Sequence, residues 1–210
     1  MTGTVPTVPA GVRAVLFDLD GVIRHWDRAP IRRIEAAHGI TPGAFDAIAL
    51  APERLRPALV GTVTDAEWRA AVSRELIARF GPAAAAAVDE WTAVPGRVDA
   101  RAVALVARVR ARAGIALVTN STTRLERDLL DAGLDEVFPL VVSSSAVGAM
   151  KPDPAIYEHA LARLGVDADE CGYVDDDAAN VEAAAALGVH AIHFTGVTDA
   201  DTRLTRLLQA

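Results

Sequence analysis

The distribution of apolar residues divides the chain into two kinds of region. From residue 97 onward, short apolar runs alternate with amphipathic segments of about 10–15 residues, a pattern typical of a parallel sheet covered on both faces by helices. The run AVLFD (14–18) predicts one more strand of that sheet. Residues 24–95 instead show helical periodicity with no convincing strand, and prolines divide them into short helices.

This pattern predicts an α/β fold, with a Rossmann-like parallel sheet core and an inserted small α-helical cap. The core is assigned to residues 12–22 and 96–210, the cap to 24–95, and a flexible arm to the Pro/Thr-rich residues 1–11. The predicted strands are 14–18, 115–119, 137–142, 172–175 and 190–194. The predicted core helices are 99–113, 123–132, 154–165, 178–187 and a last one after residue 194, several of them followed by glycine.

Composition narrows the classes of function. A net charge of −7 argues against nonspecific binding to nucleic acid or to anionic membranes. The single cysteine permits no internal disulfide, no signal-peptide pattern opens the chain, and no apolar stretch reaches the ~18 residues of a membrane span. We expect a cytoplasmic protein with no nucleic-acid or membrane partner, and the sequence predicts no oligomeric state.

Chemistry-bearing residues gather where the predicted strands end. The first strand runs into Asp18 and Asp20, the second ends in Thr119-Asn120-Ser121, Lys151 follows the third, and the fourth ends in Asp175-Asp176-Asp177. Ligands of open parallel sheets bind beyond the carboxyl ends of the strands, so these groups should meet at one edge. Carboxylates held this close repel one another unless a cation lies between them.

Each group also has a purely structural interpretation. The first two aspartates suit a turn before Gly21, Thr119 and Ser121 suit helix N-caps, and an acid at 175–177 suits a helix dipole. One acid is enough for a dipole, however, so three in a row indicate a cation. Lys151 is the only lysine beside 20 arginines. A compact ammonium there suits a carboxylate and a phosphate oxygen together.

The four motifs, in this order, resemble those of the haloacid dehalogenase-like hydrolase superfamily. They are FDLDGVI (17–23), VTNS (118–121), KPDP (151–154) and YVDDDAANVEAAAALG (173–188). The helical insert after the first motif resembles the family's C1-type cap. Its stretch GTVTDAEW (61–68) is similar to caps of sugar-phosphate phosphatases and of the phosphatase domain of epoxide hydrolases.

The resemblance implies a Mg²⁺-dependent phosphatase acting on a small phosphate monoester, such as a sugar phosphate, through an aspartyl-phosphate. In this scheme Asp18 is the nucleophile and Asp20 the general acid and base. The implied Mg²⁺ ligands are Asp18, the backbone carbonyl of Asp20, Asp176 and, directly or through water, Asp175. The implied phosphate-binding residues are Gly21, Thr119, Asn120 through its backbone, and Lys151.

Several positions depart from the family pattern or lie outside it. Many relatives carry a glutamate at Ala146 and a basic residue at Met150, a difference that leaves the position of Lys151 open. Asn180 is given a supporting role only. Arg24 and Trp26 follow the catalytic acids and are candidates for substrate specificity. The competing interpretation has Trp26 packing at the cap hinge and Arg24 in solvent.

Three other functions remain as alternatives. A phosphomutase of this fold keeps every core residue. A 2-haloacid dehalogenase shares the Asp nucleophile but lacks an acid at position 20 and needs no Mg²⁺. A non-catalytic binding protein is expected to have lost at least one of these groups, and this chain retains them all.

Overall fold

The computed structural model describes residues 11–209, so residues 1–10 of the predicted arm lie outside the described part of the chain. The strands are Ala14–Phe17 (β1), Arg24–His25 (β2), Arg97–Val98 (β3), Gly114–Thr119 (β4), Val141–Ser143 (β5), Cys171–Asp175 (β6) and His190–His193 (β7). The helices before β4 are Arg28–Ala37 (α1), Ala44–Ala49 (α2), Pro52–Leu59 (α3), Asp65–Phe80 (α4), Ala84–Thr92 (α5) and Ala100–Arg110 (α6). The later helices are Leu125–Asp131 (α7), Ser144–Val147 (α8), Pro154–Leu164 (α9), Ala178–Ala186 (α10) and Val197–Leu207 (α11).

Five strands form one parallel sheet in the order β5-β4-β1-β6-β7. All four residues of β1 are buried, as expected for a central strand with helices on both faces. Its neighbours are β4 and β6, with Phe17 paired to Leu117 on one side and to Val174 on the other. The carboxyl ends of these three strands therefore lie side by side. This is the α/β class predicted from the sequence.

The two faces of the sheet build two separate apolar layers. Val15 and Phe17 face one layer, which is completed by α6, α7 and α11, while Leu16 faces the other, which is completed by α9 and α10. This alternation follows from the two-residue period of a strand. Each buried aliphatic side chain stabilises the fold by about 1.5–3 kcal/mol, so both layers fix the strand ends firmly.

Residues 28–92 form a helical unit with an apolar core of its own. All five helices from α1 to α5 contribute buried side chains to it, and Trp91 lies 5.5 Å from both Phe45 and Trp68, measured between ring centroids. Thr64 begins the longest helix, α4, with a capping box, in which Thr64 and Glu67 satisfy each other's backbone N–H groups. The inserted segment thus has an apolar core separate from the two layers of the sheet.

Two short strands join the helical unit to the core. Arg24–His25 pairs antiparallel with Arg97–Val98, so the outgoing and returning connections lie side by side. The prediction of a segment without strands was wrong at this point, because a two-residue strand is too short to show any alternation. We call residues 20–26, which contain β2, the first linker, and residues 95–98, which contain β3, the returning linker.

The predicted strand 137–142 was also wrong in part. The chain becomes a strand only at Val141–Ser143, whereas residues 137–140 form a turn and its exit. Pro139 cannot donate a ladder hydrogen bond, and Phe138 instead packs on Phe17 at a ring-centroid distance of 6.2 Å.

Among residues 11–209, no helix is both long and apolar enough to cross a membrane.

Candidate active site

Asp18 lies at the centre of the carboxyl edge of the sheet, directly after β1. Its backbone N–H donates to the carbonyl of Val174 on β6 at 2.9 Å, which continues the sheet pairing by one residue. Its Oδ1 accepts from the N–H of Leu19 at 2.7 Å. Because two strands flank β1, the Asp18 carboxylate is placed between the ends of β4 and β6.

Lys151 joins two of the predicted acids. Its Nζ lies 2.7 Å from Oδ1 of Asp18 and 2.7 Å from Oδ2 of Asp175, and the lysine is 2% exposed. The side chain of Asn120 holds the Lys151 backbone, accepting from its N–H at 2.8 Å and donating to its carbonyl at 2.9 Å. With Ala146 and Met150 in place of the residues common in relatives, the lysine still contacts Asp18.

Asp175 is the most completely bonded carboxylate of the site. Besides Lys151, it accepts from the N–H of Asp177 at 2.7 Å, from the Asn180 amide at 3.1 and 3.2 Å, and from the hydroxyl of Tyr173. It is fully buried. Tyr173 was missed by the sequence reasoning, although it precedes Asp175 by two residues on the same strand and must therefore share its side.

Asp176 is the exposed member of the acidic cluster. One carboxylate oxygen from each of Asp18, Asp175 and Asp176 falls within 4.8 Å of the others. Gly21 makes room for this arrangement, because a Cβ built on it would lie 2.0 Å from Oδ2 of Asp176. Its φ of +90° is also a conformation that side chains disfavour. The assignment of Gly21 to the phosphate stays a prediction, and in the structure Gly21 lies close to the Asp176 carboxylate.

The pKa values of the three acids in the cluster are shifted in different directions. Burial raises the pKa of Asp18 to about 7. The Lys151 ammonium lowers this pKa, but its effect is smaller than that of burial, and the negative charge of Asp175 raises the pKa further. Burial acts on Asp175 in the same direction, but the lysine and the donors around it hold its pKa below the usual range. Burial and the neighbouring Asp175 raise the pKa of Asp176. A hard cation at the cluster relieves these costs, and three carboxylates suit Mg²⁺.

Asp20 is placed apart from this cluster, on the first linker. Its Oδ1 accepts from Nε of Arg24 at 2.7 Å and from Nε1 of Trp26 at 2.8 Å, and its Oδ2 accepts from Nη2 of Arg24 at 2.9 Å. Arg24 is 6% exposed, so the interpretation that it points into solvent was wrong. The role of Arg24 and Trp26 in specificity stays a prediction.

Thr119 and Ser121, at the end of β4, do not cap the helix that follows. Thr119 is buried at the last position of the strand, and α7 begins only at Leu125 with no side-chain cap. Ser121 donates its backbone N–H to Oγ of Ser144 at 3.0 Å. The N-cap interpretation was therefore wrong for both residues. Asp177, for which the sequence suggested only a favourable helix dipole, is an N-cap: its carboxylate accepts from the N–H of Ala179 at the start of α10.

The family model for haloacid dehalogenase-like hydrolases matches residues 12–188. The chain belongs to this family. A protein of Mycobacterium tuberculosis named as a phosphatase is 32% identical over 196 residues, which cover 86% of each chain. A phosphoglycolate phosphatase of Pseudomonas putida is 28% identical over 92% of this chain and 71% of its own length. This protein is therefore an enzyme, a hydrolase whose named relatives include phosphatases.

Solved structures agree with the fold. A protein from Porphyromonas gingivalis described as a predicted haloacid dehalogenase-like (HAD-like) family hydrolase superposes with a TM-score of 0.73 at 26% identity, over 94% of this chain and 99% of its own. A HAD family enzyme from Bacteroides thetaiotaomicron, solved with magnesium and inorganic phosphate, superposes with a TM-score of 0.71 at 20% identity, over 87% and 93%. At the latter identity the likeness concerns the fold alone.

Proposed function

We propose that this protein is a Mg²⁺-dependent phosphatase that hydrolyses small phosphate monoesters through an aspartyl-phosphate on Asp18. The observation that carries the proposal is the contact of the sole lysine with Asp18 and Asp175, beside the third acid Asp176. Nucleophile, counter-charge and acidic cation site thus meet at one sheet edge. The phosphatase relatives, and the magnesium and phosphate bound by the structural neighbour, support the same chemistry.

In the first step, an oxygen of Asp18 attacks phosphorus and the bond to the leaving alcohol breaks. Lys151 lies beside the attacking carboxylate, where its ammonium neutralises charge that develops on the phosphoryl oxygens. Thr119, the last residue of β4, and the backbone of Asn120, the residue after it, are assigned to those oxygens as well. In the second step, water attacks the aspartyl-phosphate and releases Asp18.

Asp20 is assigned to proton transfer. It protonates the leaving alcohol and then takes a proton from the attacking water. Its side chain is 38% exposed, unlike that of Asp175, so it remains accessible to a substrate. Asp175 accepts hydrogen bonds from Lys151, Tyr173, Asp177 and Asn180, and we assign it mainly to holding Lys151 in place.

The cation is assigned to Asp18, Asp176 and the backbone carbonyl of Asp20, with Asp175 contributing directly or through water. When bound, Mg²⁺ supplies positive charge that draws the phosphoryl group and Asp18 together. The acidic cluster fits such an ion, since its three carboxylates are hard oxygen donors and two of them carry raised pKa values. Gly21 keeps the Asp176 carboxylate close to the first linker.

Two other reactions of this fold differ in testable ways. A phosphomutase keeps all these core residues and differs in returning the phosphoryl group to a rotated intermediate. A 2-haloacid dehalogenase shares the Asp18 nucleophile but needs neither Mg²⁺ nor an acid at position 20. Since this chain has Asp20 and a cluster of acids that fits a cation, displacement at phosphorus is favoured over displacement at carbon.

The experiment is a screen of the purified protein against phosphate monoesters, including 2-phosphoglycolate, phosphoserine and sugar phosphates, with Mg²⁺ or with EDTA. We expect phosphate release only with the metal. Rapid acid quenching followed by peptide mass analysis should find one phosphoryl group on Asp18. Asp18→Asn should abolish both signals, whereas Asp135→Asn, an exposed control, should retain them. Full activity in EDTA, or turnover by Asp18→Asn, would contradict the proposal.

A further inference from the structure

The carboxylate of Asp20 is held by its own linker. Three N–H groups donate to it: two from the guanidinium of Arg24, in a fork across both oxygens, and one from the indole of Trp26. A carboxylate offers about four acceptor positions, so this arrangement leaves one, on Oδ2. The guanidinium also lies 4.8 Å from the centre of the Trp26 ring, measured from Cζ, which fixes the two donors relative to each other.

Arg24 is anchored from both linkers. Its backbone pairs with Val98 on the returning linker, and its own carbonyl accepts from the N–H of Gly21 at 2.8 Å. A Cβ built on Gly96 would lie 2.6 Å from Cδ of Arg24, so the arginine stem lies directly on that glycine. The third nitrogen of the Arg24 guanidinium, Nη1, lies 4.0 Å from Oδ2 of Asp128. The guanidinium therefore has one well-defined position.

These contacts leave Arg24 little capacity to bind substrate. It is 6% exposed, and two of its three nitrogens are occupied by Asp20. The N–H of Trp26 is occupied as well, although 44% of that residue is exposed. Together, Arg24 and Trp26 hold the Asp20 carboxylate in one orientation, and this orientation sets the direction of the remaining acceptor position on Oδ2.

We propose that Arg24 and Trp26 are positioning residues for proton transfer by Asp20. This inference rests on the proposed phosphatase function. A positioned acid or base contributes about 10²–10⁴-fold to rate. That contribution matters most when the leaving group is a strong base that cannot depart unprotonated. Loss of the positioning contacts should therefore slow the hydrolysis of substrates with poor leaving groups more than that of substrates with good ones.

The experiment compares two substrates of similar shape, phenyl phosphate and p-nitrophenyl phosphate, whose leaving groups differ greatly in basicity. The measured quantity is the ratio of their kcat/KM values, which reports the steps up to departure of the leaving group. A partly unfolded preparation lowers both values equally, so the ratio does not depend on the active fraction. Asp20→Asn serves as the benchmark, because it removes the proton-transfer group itself.

Arg24→Gln should lower kcat/KM for phenyl phosphate at least ~10-fold more than for p-nitrophenyl phosphate. Trp26→Phe, which removes one N–H and keeps the ring, should shift the ratio in the same direction by less. Gly96→Ala should resemble Arg24→Gln, since it displaces the arginine without removing its charge. Trp68→Phe is the matched control, because its indole donates to the carbonyl of Ala49 within the helical unit and should leave the ratio unchanged.

Two outcomes would separate the proposals. If Asp20→Asn shifts the ratio while Arg24→Gln and Trp26→Phe lower both rates equally, or not at all, the positioning role is overturned and the phosphatase mechanism stands. If the unaltered protein releases phosphate from neither substrate nor from any monoester of the screen, the proposed function itself fails.

Discussion

The acidic cluster at the sheet edge (Asp18, Asp175 and Asp176) and the first linker position their carboxylates by different means. Asp18 and Asp175 extend from central strands, and their lysine is 2% exposed. Asp20 lies only two residues beyond Asp18, yet it is half-exposed and bonded to side chains of the linker. The first group is held by the packed sheet and the second by the connection to the helical unit.

The difference teaches that neighbouring acids of one motif can depend on different parts of the molecule. Changes in the core should affect attack on phosphorus for every substrate. Changes in the linkers should affect proton transfer, and should therefore lower the rate most for substrates with poor leaving groups. Packed cores deform little, whereas a two-strand connection has few neighbours to restrain it. The following substitutions test this division.

The largest effect is expected at Lys151. Lys151→Ala should lower kcat by about 10²–10³-fold, the usual loss when one electrostatic contact to the transition state is removed. Because the lysine contacts the attacking group, kcat/KM for phenyl and p-nitrophenyl phosphate should fall by similar factors. Steady-state kinetics with both substrates measure this directly.

Two variants control that result. Lys151→Arg should also be impaired, since a planar guanidinium does not fit where Nζ contacts two carboxylates at 2.7 Å. Arg163→Gln, on the exposed side of α9, should behave like the unaltered protein. Turnover of Lys151→Arg at the normal rate would refute the assigned role of the lysine.

A smaller effect is expected at Gly21, where the linker meets the acidic cluster. In Gly21→Ala the new Cβ would fall 2.0 Å from Oδ2 of Asp176, so that carboxylate must move. Altering the groups that orient a metal ligand typically weakens metal affinity by about 10–100-fold. A Mg²⁺ titration of activity, and of the rise in Tm that the ion causes, should both show this loss.

Gly133→Ala is the matched control for that substitution. Gly133 also has a positive φ, of +66°, but nothing lies within 4 Å of a Cβ built there. It therefore carries the same kind of backbone cost, without the clash. Equal losses of Mg²⁺ affinity in both variants would mean that Gly21 acts through general backbone strain alone.

The smallest effect is expected on stability. Burial raises the pKa of Asp18 to about 7, above the 3.8 that is ordinary for an aspartate and applies in the unfolded chain. Such a group favours folding while it is protonated, and this contribution is lost as the pH rises through about 7. In EDTA at pH 8, Asp18→Asn should therefore melt higher than the unaltered protein, by at least the ~2–4 °C that 1 kcal/mol gives in a domain of this size.

The pH dependence distinguishes this effect from ordinary stabilisation. The advantage of Asp18→Asn should shrink at pH 5 and should also shrink with saturating Mg²⁺, which favours the ionised aspartate. Asp135→Asn should show neither dependence. A difference in Tm that is the same at both pH values would show that the Asp18 carboxylate is not costly to bury.

Much of the core could be predicted from the sequence, because its signals are local. A continuous apolar run, as in residues 14–17, predicts a strand buried on both faces. Parallel strands place their carboxyl ends together, so the meeting of Asp18, Lys151 and Asp175 followed from their positions at or beyond the carboxyl ends of strands in one parallel sheet. The strand over 137–140 was wrong, because tertiary packing of Phe138 and the missing N–H of Pro139 outweighed apolar character.

Other features depended on contacts between residues distant in the chain. The pairing of the two linkers joins residues 24 and 98, and no local periodicity encodes a two-residue strand. The near contact between Gly21 and Asp176 likewise exists only once β1 and β6 lie side by side. Local pattern therefore determined which acids gather at the sheet edge. Tertiary structure alone decided that Asp20 binds Arg24 and Trp26, because a side chain's partners depend on the path of the folded backbone around it.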